Sequence, residues 1–109
     1  MYVYDEANNL AKAIQESKEY KEYKKAKEEM ESIPGMKSKI EEFEKIRYDA
    51  QVMAFQGKDD DEKKKKLQEM YDILMKEPKI KEYFDIEVRF NIMLADVNKI
   101  ISESVQDLL

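Results

Sequence analysis

PKIKEYFDIEVRFNIMLADVNKIISESVQDLL, residues 78–109, is the stretch whose reading decides how this chain folds. At about 100° per residue, Tyr83, Ile86, Phe90, Met93, Leu94, Val97, Ile100, Ile101, Val105 and Leu108 fall on one broad arc of a helix. With Phe84, Ala95 and Leu109 the arc widens to roughly 220°, where a surface helix needs a stripe of little more than about 100°. The polar remainder is narrow and charged: Lys81, Asp85, Arg89, Asp96, Lys99, Glu103 and Asp107. One neighbouring helix cannot cover such an arc, so the pattern predicts a further partner, most economically a second copy of the chain.

Working back from this helix, the preceding residues divide at their helix breakers. Pro78 is compatible with the first position of a helix and should open the last segment rather than kink the one before. A helix from Pro78 to Ser102 would be roughly 36 Å long. Before it, Leu67, Met70, Tyr71 and Leu74 form the inward stripe of a fourth helix, about Glu62 to Lys76, joined through Lys58 to Asp61. Gly57 marks the end of a third helix, about Lys37 to Gln56, which carries Ile40, Phe43, Ile46, Ala50 and Met53. Pro34-Gly35 predicts a helical hairpin, because proline restricts the residue before it and glycine turns freely. Ser17 is placed to cap a second helix with Tyr20, Tyr23, Ala26, Met30 and Ile33 in line. Asp5 is placed to cap a first helix, to Glu16, bearing Ala7, Leu10, Ala11 and Ile14.

The reading is therefore an all-α fold: about five helices in an elongated antiparallel bundle with a long C-terminal helix, one domain over 1–109, dimer-forming. Composition agrees. Charged residues make up 41% and hydrophobic residues 42%, with two Gly and two Pro, which suits long amphipathic helices better than a turn-rich β fold.

The same composition excludes whole classes of chemistry. No cysteine means no disulfide, zinc-thiolate site or cysteine-ligated iron-sulfur cluster. No histidine removes the usual general base and the commonest transition-metal ligand. No cofactor is expected, and no catalytic or metal-binding residue stands out. The net charge is -5, and of twenty basic residues only Arg47 and Arg89 are arginine, which disfavours base-edge or phosphate recognition. No apolar run is long enough to span a membrane, and Met1-Tyr2-Val3-Tyr4-Asp5-Glu6 lacks the features of a secretory signal, so a cytoplasmic location is expected.

The densest charge clusters read as helix grammar. Asp59-Asp60-Asp61-Glu62 lacks the alternating ligands and central glycine of a calcium loop, and fits a cap followed by acids in a first helical turn. Lys63, Lys64, Lys65 and Lys66 read as solvated residues beside those acids, with a role as a partner face the functional alternative. Surface carboxylates such as Glu41, Glu42 and Glu44 pair with lysines rather than mark acid-base catalysis. Tyr20, Tyr23, Tyr48, Tyr71 and Tyr83 fit packing with hydroxyls at the rim better than a stacking platform for bases. Asn91 and Asn98 lie one heptad apart within the arc of the last helix, where a buried asparagine fixes register in a helical seam and an exposed one hydrogen-bonds to water.

With these segments in place, the chain resembles the YlbF/YmcA family of small helical bacterial proteins, most closely its YheA-like branch. The resemblance runs through Tyr4-Asp5-x-Ala7-x2-Leu10-Ala11-x-Ala13-Ile14, Ser17-x-Glu19-Tyr20-x2-Tyr23, Phe43-x7-Gln51 and Gly57. It is densest in Glu87-x-Arg89-Phe90 and Asp96-Val97-Asn98-Lys99-Ile100-Ile101. The resemblance implies a helical, dimer-forming cytoplasmic protein without catalytic residues. Its relatives regulate competence, biofilm formation and sporulation in a complex that modulates ribonuclease Y. Some bind iron-sulfur clusters through cysteines, which this chain lacks. The expected function is that of a non-enzymatic interaction protein, a homodimer or small homo-oligomer that binds a protein partner. Its expected seam comprises Phe90, Met93, Val97, Asn98, Ile100 and Ile101. The alternative is a nucleic-acid-associated protein using the lysine-rich helix.

Overall fold

In a computed structural model describing residues 1–58 and 60–109, the described residues form five α-helices and no strand: α1 (Val3–Glu16), α2 (Lys18–Glu31), α3 (Met36–Phe55), α4 (Asp61–Leu74) and α5 (Pro78–Ser104). A single 3-10 turn, Gln106–Leu108, follows α5. Asp59, first of the acidic cluster, lies outside the described residues.

The helix boundaries follow from local chemistry. Ser17 separates α1 from α2, and its hydroxyl accepts the Tyr20 amide at 3.1 Å, satisfying one of the donors exposed at a helix start. Gly35, at φ 76°, reverses the chain into α3 in a conformation that costs a side-chain-bearing residue energy. Gly57, at φ 77°, ends α3. There the Lys58 amide reaches the Met53 carbonyl at 2.8 Å and the Gly57 amide the Ala54 carbonyl at 3.1 Å, the paired bonds of a glycine C-terminal motif. Asp60 caps α4 by accepting the Lys63 amide at 3.1 Å, and Asp61 and Glu62 occupy the first turn, where the helix dipole favours acids. Pro78 opens α5, with the Glu77 carbonyl accepting the Ile80 and Lys81 amides at 3.0 and 3.1 Å.

Two expectations are corrected. Asp5 does not cap α1. The helix starts at Val3 after an extended Tyr2 without a side-chain cap, which leaves Asp5 in the first turn as a dipole partner. The last helix does not run to Leu109. The Ser104 hydroxyl bonds back to the Ile101 carbonyl at 2.6 Å, and the chain tightens into the 3-10 turn, so Val105 and Leu108 leave the α-helical arc.

The chain divides into two compact units. One comprises Met1–Lys27 and Tyr83–Leu109, the other Glu28–Glu82. Within the second, α3 packs on α4, and Met30, Met36, Ile40, Phe43, Leu74 and Ile80 are buried. The Phe43 ring lies 6.2 Å from that of Tyr71, with the Arg47 guanidinium 5.7 Å from the Phe43 centroid. Lys79 and Glu29 pair at 3.4 Å. Ile80 is 0% exposed, the only large side chain among the described residues sealed so completely. Within the first unit Ala26, Tyr83 and Ile86 are buried, and no residue of α1 is.

Ile80→Ala should lower unfolding stability by about 2–5 kcal/mol, since a filled site becomes a cavity. Phe55→Ala, at a side chain 94% exposed, should change it by less than about 0.5 kcal/mol. Urea unfolding of both variants checks the contrast.

Candidate interaction surface

Two sides of α5 matter in the unit formed by Met1–Lys27 and Tyr83–Leu109. The first faces α2. Tyr83, Glu87 and Phe90 recur at four and three residues and so share one side of the helix. Tyr20 and Tyr23 do the same on α2. The Tyr23 ring lies 5.1 Å from Phe90 and 5.8 Å from Tyr83, and Tyr20 lies 6.3 Å from Phe90, all tilted arrangements within the favourable range. The Tyr23 hydroxyl donates to Glu87 Oε2 at 3.1 Å. The ring bodies are packed and the polar tip is answered at the edge, which is why tyrosine rather than phenylalanine stands at position 23.

The second side is open. Arg89, Ile92, Met93, Asp96, Val97 and Ile100 lie three, four, seven, eight and eleven residues on from the first, the spacing of one helix face, and with Glu19 of α2 they line a groove of about 430 Å³. Its floor is apolar and its rim charged. Ile92 is 56% and Ile100 70% exposed, so their apolar area is still in water. Neither Arg89 nor Asp96 has an ion-pair partner within the chain among the described residues.

Of the residues expected at a seam, the structure brings Met93, Val97 and Ile100 together in this groove. Phe90 turns to the α2 tyrosines instead. Ile101 is exposed outside the groove, and Asn98 is exposed nearly opposite it, about 170° round the helix. Asn91 shares that far side. The sequence pattern assigns Arg89 and Asp96 to the polar remainder, because a hydrophobicity count discards charged positions, and leaves Ile92 off the arc. Their signal was the unbroken three-and-four spacing from 89 to 100, charges included.

The four lysines lie in the other unit. Lys63 is half-buried, its Nζ 3.6 Å from Met53 Sδ, while Lys64, Lys65 and Lys66 are exposed. Successive residues turn by about 100°, so the four encircle α4 instead of sharing a face. In the same unit Tyr48, Val52 and Phe55 leave an exposed apolar row on α3; Tyr48, expected to pack with its hydroxyl at the rim, is 66% exposed, and Val52 and Phe55 carry no sequence signal of their own. No group of three or more acidic or other ligating side chains is placed to hold a metal ion among the described residues. No helix among them is long and apolar enough to cross a membrane.

Removing the Tyr23 hydroxyl by Tyr23→Phe should cost about 0.5–1.5 kcal/mol. A double-mutant cycle with Glu87→Gln should return a coupling of similar size, measured by chemical unfolding.

A family model described as Control of competence regulator ComK, YlbF/YmcA matches residues 3–106. A UPF0342 protein of Symbiobacterium thermophilum is 36% identical over 104 residues, covering 94% of this chain and 93% of its own. A UPF0342 protein of Desulfitobacterium hafniense is 34% identical over 110 residues, covering 100% and 89%. Another, from Alkalihalophilus pseudofirmus, is 31% identical over 107 residues, covering 97% and 91%.

Proposed function

This chain belongs to the YlbF/YmcA family, and we propose that within it the protein acts by binding alone, as a homo-oligomer that presents helix faces to a protein partner in bacterial RNA processing or developmental regulation. The single observation that carries the reading is the open apolar groove on α5, with exposed isoleucines on its floor and charges on its rim. A seam of this make-up, apolar at the centre and charged at the edge, suits protein association.

The amount of apolar surface supports the same reading. In the unit of Met1–Lys27 and Tyr83–Leu109, Tyr2, Val3, Tyr4, Val88, Ile92, Ile100, Ile101, Val105 and Leu108 are all exposed. Their accessible apolar area amounts to roughly 450–850 Å² at ordinary side-chain sizes. A standard interface buries about 800 Å² on each partner. The proposed seam uses Met93, Val97 and Ile100, flanked by Phe90 and Ile101, while Asn98 tests which side of α5 the second copy occupies. Family membership supports the regulatory role. The partner, a ribonuclease Y-type complex by resemblance, is part of the proposal.

Sedimentation velocity at tens of micromolar should give a dimer or small oligomer, and a strict monomer would overturn the reading. Ile100→Glu should raise the dissociation constant by about tenfold or more, because it sets a charge in the seam, while leaving the monomer folded. Asn98→Leu should change neither the oligomeric mass nor the unfolding midpoint; a change would move the seam to the far side of α5. Capture from the native cytoplasm should recover a protein partner, and recovery of none would remove the regulatory half of the proposal.

A further inference from the structure

The groove has an internal symmetry that says what covers it. Arg89 and Asp96 carry opposite charges and stand at equal distances either side of the apolar pair Ile92-Met93, on the same side of α5. In an isologous contact between antiparallel helices, residue i of one copy meets residue j of the other wherever i and j sum to a constant. A two-fold axis between Ile92 and Met93 therefore sets each Arg89 against the other copy's Asp96. It also brings Ile92 of each copy onto Met93 of the other, closing the centre of the floor.

We infer that two copies associate through α5 in an antiparallel, two-fold contact centred between Ile92 and Met93 and bounded by reciprocal Arg89–Asp96 pairs. This rests on the oligomer reading above and adds orientation, register and the residues that select the partner. The occupant is a second copy because the stripe complements itself. It offers one cation and one anion per copy, each without an ion-pair partner in its own chain among the described residues, at the spacing that pairs both at once. Other registers lose this match. An axis at Asp96 places two like charges face to face. Arginine is also the charged side chain most often found at such positions, its planar fork matching a carboxylate.

Complementary charge variants provide the test. Arg89→Asp and Asp96→Arg should each weaken self-association at least tenfold, since each creates two like-charge contacts across the axis. Mixed together, the two variants should form a heterodimer in preference to either homodimer, because one copy is then acidic and the other basic at both positions and each contact pairs opposite charges, one with the native sign and one reversed. The doubly substituted R89D/D96R protein should recover self-association. As the chain has no cysteine, single substitutions Ile92→Cys and Met93→Cys report the register directly, and both should form the disulfide-linked dimer readily under mild oxidation, while Glu103→Cys should not. Native mass spectrometry reads the mixture and non-reducing electrophoresis the cross-links. A wild-type dimer without heterodimer preference, or with efficient cross-linking only at position 103, would overturn this register and leave the oligomer reading standing. A wild-type monomer at tens of micromolar would overturn both.

Discussion

The contact that organises the long helix is that between the α2 tyrosines and one side of α5. Tyr20 and Tyr23 sit one turn apart, and Tyr83, Glu87 and Phe90 are spaced to meet them, with the Tyr23 hydroxyl on Glu87 at 3.1 Å. Ring packing alone would let one helix rotate or slide over the other. The hydrogen bond joins two atoms 64 residues apart in sequence and gives the packing a fixed register. Once that side of α5 is committed, the neighbouring stripe from Arg89 to Ile100 necessarily turns elsewhere. The groove is thus a consequence of how α5 meets α2, and a broad apolar arc becomes an inward side and an outward side.

The unit formed by Glu28–Glu82 is organised differently. Its core comprises short side-chain sets brought in by three turns: the Pro34-Gly35 hairpin, the Gly57 stop with the Asp60 cap, and the Glu77-Pro78 start. Each turn satisfies helix-end backbone groups locally, so the core itself rests on apolar packing, with the Lys79–Glu29 pair at its exposed edge. Ile80 is sealed within it two residues after Pro78, so the same proline that starts α5 also sets the depth of the most buried side chain. Against this economy the exposed row of Tyr48, Val52 and Phe55 is notable, because it lies on the side of α3 away from Ile40 and Phe43.

Most of the helix plan was legible because its signals are local. Proline, glycine and a capping aspartate act within three or four residues, and Pro34, Gly35, Gly57, Asp60 and Pro78 all stand where the helices end or begin. Asp5 misled because a cap depends on an extended backbone at that residue, and the extended residue is Tyr2. The far end of α5 misled because a projection at constant angle assumes an α-helix, while Ser104 diverts the chain into a tighter turn. The candidate surface was half legible. Met93, Val97 and Ile100 were visible as apolar positions, but Arg89 and Asp96 were not, since a charged residue in an interaction stripe looks like ordinary solvation until the third dimension shows what lies beside it. Whether Phe90 faced in or out could not be read from α5 alone, because the answer lies in Tyr20 and Tyr23.

The proposed seam also sets a limit on how tightly two copies can hold through the groove alone. Complete burial of an isoleucine is worth about 1.5–3 kcal/mol, and Ile92 and Ile100 still have 56% and 70% of their surface left to bury. For two copies these side chains supply roughly 4–8 kcal/mol, and each charge pair at a rim open to water adds at most about 1 kcal/mol. Loss of translational and rotational freedom on association costs about 4–15 kcal/mol, so the groove by itself makes at best a weak dimer. A stable one must recruit more of the exposed apolar surface in the same unit. The available side chains are Ile101, Val105 and Leu108 beyond the groove, and Tyr2, Val3 and Tyr4 on and before α1, a helix with no buried residue of its own. On this argument the Arg89–Asp96 pairs choose the partner and its direction, while the strength of association resides in side chains farther along the helices.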